Sequence, residues 1–222
     1  WAAAAEPRGR LRMFDGGVAD VLFRHTHWAT AGVLQENGCE VEIKSTQACC
    51  GAIHFHAGSD EPARDLADTN TAAFNADDVD AIIVNVAGCA SMLKDYGHHW
   101  NDDNQEERAK FAAKIKDVNE FLDELGLIPP TGELNVTATY HDACHLAHAQ
   151  QIREQPRNLL AQIPGLKLVE LPESDLCCGA AGTYNLTEPE MAGRLGRRKM
   201  NNIRGPGARG RRSCLMRSCF SL

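Results

Sequence analysis

The chain has 222 residues, 30 acidic against 23 basic, and a formal net charge of −7. With 43% hydrophobic and 24% charged residues it has the composition of a soluble globular protein, in one large domain or two small ones, and no apolar run approaches the ~18 residues needed to span a bilayer. The opening Trp1–Glu6 lacks the charged and apolar regions of an export signal, and a first residue other than Met reads as a piece of a longer chain. Nine cysteines are therefore expected in a reducing compartment, where clustered thiols serve metals or redox chemistry rather than disulfides.

In chain order, Leu11–Phe14 reads as a short strand ending at Gly16-Gly17. A helix is expected from Asp20 to Glu36, with Val21, Leu22, Ala29, Val33 and Leu34 as its apolar stripe, stopped at Asn37-Gly38. Cys39–Ile43 alternates with period two and reads as a strand. The Cys49-Cys50-Gly51 loop, a helix over Glu61–Asn75 and a buried strand Ala81–Val84 follow. That strand runs into Gly88-Cys89, then a short helix, Ser91–Tyr96. Phe111, Ile115, Val118, Leu122 and Leu125 recur at helical spacing and predict one connecting helix over Gln105–Leu125. Gly126 ends it, and Pro129–Gly132 is the linker candidate.

The order then repeats. Asn135–Tyr140 reads as a strand leading to Cys144. A helix carrying Ile152, Leu159 and Leu160 follows, then a strand over Leu166–Glu170, the Cys177-Cys178-Gly179 loop, and a helix from Glu188 to Asn202 with Pro189 in its first turn. The parallel breaks where a counterpart of Ala81–Val84 should precede Cys214. The run Gly205–Arg212 holds one Pro, three Gly and three Arg, which excludes a buried parallel strand. The expected fold class is α/β, in two pseudo-repeated modules, 10–126 and 134–222. Each is a small, mostly parallel sheet with flanking helices and Cys-bearing loops at strand ends. The last ~18 residues are atypical for such a module.

The cysteines repeat with the elements. Cys144 lies 32 intervening residues before Cys177, and Cys214 lies 35 after Cys178; Cys89 lies 38 after Cys50. The first module's lead position falls at Gly17. Soft thiolates converging from the carboxyl ends of parallel strands suit iron–sulfur or zinc binding, and four suffice for one site. The candidate ligands are Cys49, Cys50 and Cys89 in the first module and Cys144, Cys177, Cys178 and Cys214 in the second. Gly51 and Gly179 are expected to let the backbone approach a cofactor and direct N–H groups at it. Cys39, on a strand, and Cys219 read as free thiols. His54, His56, His141, His145 and His148 flank these loops, and most are expected to bond to backbone; His145 is the candidate proton donor near a cluster, and His98-His99 reads as an exposed turn. No nucleophile elbow, Walker loop or dinucleotide fingerprint occurs, so no catalytic residue is assigned. The final 29 residues hold nine Arg and Lys and no acid, a charge pattern weighed against nucleic-acid binding and set aside.

The frame Cys…Cys-Cys-Gly…Cys in tandem resembles the cysteine-rich CCG domain of heterodisulfide reductase, lactate-utilisation proteins and the iron–sulfur subunit of glycolate oxidase. The stretches Thr46–His54, Asn85–Lys94, Tyr140–His148 and Asp175–Leu186 are most similar to the last of these. The likeness covers about residues 10–203. The resemblance implies an electron-transfer or docking piece, not catalytic alone, of a complex oxidising glycolate to glyoxylate. It implies an iron–sulfur cofactor of the 4Fe–4S type, with zinc as the alternative at one site. It also implies a flavin-containing dehydrogenase subunit as partner, the quinone pool as indirect acceptor, no nucleic acid, and a cytoplasmic location at the inner face of the membrane. The rivals are an oxidoreductase of the heterodisulfide or lactate-utilisation type and a zinc-stabilised scaffold. The ferredoxin-like amino-terminal part of that subunit is not in this chain. The Arg/Gly run before Cys214 reads as a reading-frame slip in a GC-rich gene.

Overall fold

The computed structural model describes residues 7–74, 78–180, 182–205 and the backbone of 213–216. The chain divides into two compact units, Trp1–Leu122 and Asp123–Leu222. Each is an α/β unit around a parallel sheet.

In the first unit β1 (Gly9–Phe14) lies between β2 (Cys39–Ile43) and β3 (Ala81–Val84), and β4 (Ile115–Asp117) pairs outside β3, giving the order β2-β1-β3-β4 with every pair parallel. Alternation of side chains sends Phe14, Ile82 and Val84 to one face. There they meet Ala63, Ala67 and Phe74 of α3 (Asp60–Phe74) and Phe111 of α6 (Gln105–Ala113) in one buried cluster. Phe14, Tyr96 and Phe111 are almost fully buried and carry much of that core. The continuous apolar run of β3 is what a strand covered on both faces requires.

Two expectations fail here for physical reasons. The single helix predicted over Gln105–Leu125 is broken: α6 stops at Ala113, β4 intervenes, and α7 (Val118–Leu125) begins anew. Ile115 keeps helical phase with its neighbours, yet the exposed edge of β3 captures it as Ile82↔Ile115 and Val84↔Asp117. The stripe expected on α1 (Val18–Glu36) is also displaced. Val21, Leu22 and Val33 are exposed, while Ala19, His27, Thr30, Ala31 and Leu34 face inward. The inward polar pair has a partner: Asn85, just after β3, donates to Thr30 Oγ1 at 2.9 Å and lies 3.0 Å from His27 Nδ1.

The second unit has the order β6-β5-β7, from β5 (Thr137–His141), β6 (Lys167–Val169) and β7 (Ser213–Met216), again all parallel. β5 occupies the place of β1, β6 that of β2 and β7 that of β3. A third strand was not expected here. It forms from Ser213-Cys-Leu-Met216, just after the Gly/Arg run, and carries Cys214 inside it. Residues 206–212 lie outside the described residues, as do Cys219 and the reading-frame question. After β5 come a π-helical turn, His145–Ala149, and α8 (Glu154–Ala161), with Ile152 between them rather than in the helix. The unit's described helices end with α9 (Tyr184–Thr187) and α10 (Pro189–Arg204), which opens on the predicted Pro189.

Candidate metal centres

In the first unit the Cys49-Cys50 loop follows β2 and leads into α2 (Ala52–His56), and Cys89 lies in α4 (Ala87–Lys94), which follows β3. These loops meet at the carboxyl end of the sheet, where parallel α/β folds place their functional groups. Cys50 Sγ and Cys89 Sγ are 3.1 Å apart. Cys50 is buried, and Cys49 and Cys89 are half-buried. The hydrogen bond with Cys50, and then burial, push the Cys49 thiol far up. Cys49 works to lower the Cys50 thiol, but Cys89 and burial outweigh it and raise it. Three soft donors are thus packed together, an arrangement suited to a thiophilic cation. Among the described residues no three His, Cys, Asp or Glu side chains already stand around a common metal position. The donor chemistry fits a thiophilic metal centre.

The loop is fixed from beneath by two buried polar side chains. Asn70 of α3 accepts from the Ala48 N–H at 2.8 Å and donates to the Cys49 carbonyl at 3.0 Å. Tyr96 donates to the Cys50 carbonyl at 2.8 Å and receives an Asn70 N–H at 3.3 Å. Gly51 has φ +78°, and a Cβ there would press on the Ala63 carbonyl at 3.2 Å. The residue must be small because it rides on α3. Its N–H also lowers the Cys49 thiol.

The second unit repeats this plan. Cys144 lies three residues past β5, and Cys177 and Cys178 follow β6. Burial raises the Cys177 thiol, with Cys144 and Cys178 adding to the rise, so the three are neighbours. The Gly179 N–H donates to Cys177 Sγ at 3.3 Å. Gly179 has φ +87°, and a Cβ there would overlap the Ala192 carbonyl of α10. His145 Nδ1 is 3.7 Å from Cys144 Sγ, and this thiol holds the His145 pKa above the ordinary imidazole value against burial. Cys214 sits two positions before the end of β7, opposite Thr139, whereas Cys89 lies beyond the end of β3.

The segment before Cys177 gathers most of the remaining polar groups. His141 Nδ1 lies 2.9 Å from the Ser174 carbonyl and His148 Nε2 3.3 Å from that of Asp175. The Asp142 N–H donates to Ser174 O at 3.0 Å, and Arg157 grips the Asp142 carboxylate with two nitrogens. Lys199, 2% exposed, donates to the Glu173 and Ser174 carbonyls at 2.6 and 3.1 Å. His141 and His148 thus bond to backbone, as expected for most of these residues. In the first unit Phe55 of α2 packs tilted against His99 with ring centroids 4.2 Å apart, so His99 is half-buried and of the two only His98 is exposed. Asn70, Tyr96, Lys199 and Arg157 carried no motif; for Asn70 and Lys199 the signal lies in their position on the helices against which the loop glycines pack.

The structure is that of a protein of two tandem parallel α/β units with paired cysteines after the second strand of each. The family model "Cysteine-rich domain", CCG, matches residues 11–94 and 138–217, and the chain belongs to that family, in two copies. It is similar to the "Probable glycolate oxidase iron-sulfur subunit" of Bacillus subtilis, 39% identical over 90% of this chain and 46% of the relative. A subunit of the "Fumarate reductase (CoM/CoB)" of Methanothermobacter marburgensis is 34% identical over 89% and 38%. "Lactate utilization protein A" of Shouchella clausii is 30% identical over 89% and 83%. The chain spans less than half the length of the first two and most of the third. No helix among the described residues is long and apolar enough to cross a membrane.

Proposed function

We propose that this chain is the iron–sulfur electron-transfer part of a flavin-linked complex that oxidises a 2-hydroxy acid, with glycolate, giving glyoxylate, as the first substrate to test. The observation that carries the reading is the convergence of Cys49, Cys50 and Cys89 at the carboxyl end of one sheet, repeated by Cys144, Cys177 and Cys178 at the other. The similarity to iron–sulfur subunits supports it. Cys214 is proposed as the remaining thiolate of the second centre. A cluster of the 4Fe–4S type held by these residues would accept and release single electrons. The chain's own residues would hold the thiolates together, direct the Gly51 and Gly179 N–H groups at the cysteine sulfurs, and fix the first loop from beneath through Asn70 and Tyr96. Zinc at one site would leave a scaffold with no redox role.

On this reading the hydride goes to a flavin on a partner subunit, and electrons leave toward quinone, with the complex at the cytoplasmic face of the membrane. The test is reduction of the anaerobically prepared chain by glycolate. Absorbance should bleach only when the flavoprotein partner is present. Bleaching by the chain alone, or none with the partner, would contradict the proposal. A second reading, a lactate-utilisation oxidoreductase, is supported by the similarity to the lactate utilization protein of Shouchella clausii over 89% of this chain. Lactate in place of glycolate in the same assay separates the two.

A further inference from the structure

The two units differ at the lead position of the cysteine frame. Cys144 lies three residues after the last residue of β5, with φ −57° and ψ −41°, and caps the turn that follows. Gly17 lies three residues after the last residue of β1, with φ −87° and ψ −71°, and caps α1. Both backbones are right-handed helical, so glycine at 17 is not demanded by conformation; its neighbour Gly16, at φ +64°, is the one that needs it. A Cβ built on Gly17 would have Cys49 atoms as its nearest neighbours, Cβ at 3.5 Å and Sγ at 3.8 Å, which is ordinary contact. The site thus has room for a side chain aimed at the thiols, and Gly17 is exposed while Cys50 behind it is buried. Gln47 cannot fill the gap: its Oε1 accepts from the Asp15 N–H at 3.0 Å and its Nε2 donates to Lys44 O at 2.9 Å. His27 is turned inward onto Asn85.

From this geometry we infer that the first centre is held by Cys49, Cys50 and Cys89 and keeps one coordination position, over Gly17, open to a small soft donor ligand from solution, while the second has its own thiolate, Cys144, in that place. The inference rests on the proposed iron–sulfur reading. An open position is the property that separates a metal site able to bind or activate a ligand from a closed, purely structural one. Cyanide is the probe, because it is small enough for the space of one missing side chain and is a soft donor. His54, on α2 four residues after Cys50, is the rival donor within the chain.

The experiment uses the full chain loaded anaerobically with iron and sulfide. Wild type, Gly17→Ala, Gly17→Cys and His54→Ala are compared by iron content, circular dichroism and the electron paramagnetic spectrum during a cyanide titration. Wild type, Gly17→Ala and His54→Ala should show a saturable shift of one part of the spectrum. Gly17→Cys should lose that shift at unchanged iron content. Isotopically labelled cyanide should add hyperfine coupling in the wild type, a reading that stands even where Gly17→Cys does not fold. An equal shift in Gly17→Cys, no shift or coupling in wild type, or loss of iron in His54→Ala overturns the open position alone. No iron uptake by wild type overturns the iron–sulfur reading and the inference with it.

Discussion

Asn70 and Lys199 occupy the same place in the two units. Asn70 follows Ala63 by seven residues on α3, and Lys199 follows Ala192 by seven on α10. Ala63 and Ala192 are the residues against which Gly51 and Gly179 pack. From that shared position each side chain, almost fully buried, donates into the backbone that leads to its cysteine pair. One unit uses a neutral amide, the other an ammonium whose pKa burial lowers although the neighbouring Cys178 and Asp175 raise it.

Asn70→Leu leaves the part-buried Ala48 N–H and Cys49 carbonyl without this partner. It should destabilise the protein by about 2–3 kcal/mol in denaturant titration. Lys199→Met also strips two carbonyls, but it releases the cost of burying a charge, so its loss should be the smaller of the two.

The same pair predicts unequal redox behaviour. A positive charge beside a centre favours its reduced form. Lys199→Met should move the second centre's midpoint potential to more negative values and leave the first unchanged in a redox titration. Movement of both centres together would show that Lys199 acts through global structure.

The loop glycines are predicted to differ in tolerance. Gly179→Ala imposes strain at φ +87° and an overlap with the Ala192 carbonyl, whereas Gly51→Ala meets Ala63 at a tight 3.2 Å. Each should cost stability, on the order of 1–3 kcal/mol for the strain alone, with Gly179→Ala the greater, as read from paired thermal melts.

Asp15 predicts a pH effect. Burial, and then Asp20, raise its pKa from 3.8 to about 6. Between those values the folded chain holds a proton that the unfolded chain has released. Stability therefore falls as the pH rises from about 4 to about 6 and is level beyond. Asp15→Asn should match wild type below pH ~4 and exceed it by about 1–3 kcal/mol above pH ~6.

Much of the plan was legible in the sequence because it rests on local pattern. Leu11–Phe14, the alternation of Cys39–Ile43 and the apolar run Ala81–Val84 each fall inside a strand, and the repeated Cys-Cys-Gly turns lie after β2 and β6. What pattern could not carry was tertiary choice. Ile115 sits in helical phase but completes a sheet edge. His27 and Thr30 turn inward because Asn85 meets them, leaving Val21 and Leu22 outside. Four residues after a Gly/Arg run form β7, since β5 otherwise has an open edge. The supports of the site, Asn70 and Lys199, are single polar residues on helices whose role appears only when their loops are seen above them.

The paired cysteines are proposed to hold iron–sulfur centres. The most direct test is the iron, zinc and acid-labile sulfide content of the anaerobically prepared chain, with its electron paramagnetic spectrum after reduction. Iron and sulfide should be present together, with a paramagnetic signal on reduction. Part of both should be lost in Cys50→Ser and another part in Cys177→Ser. Stoichiometric zinc with neither sulfide nor signal would contradict this reading.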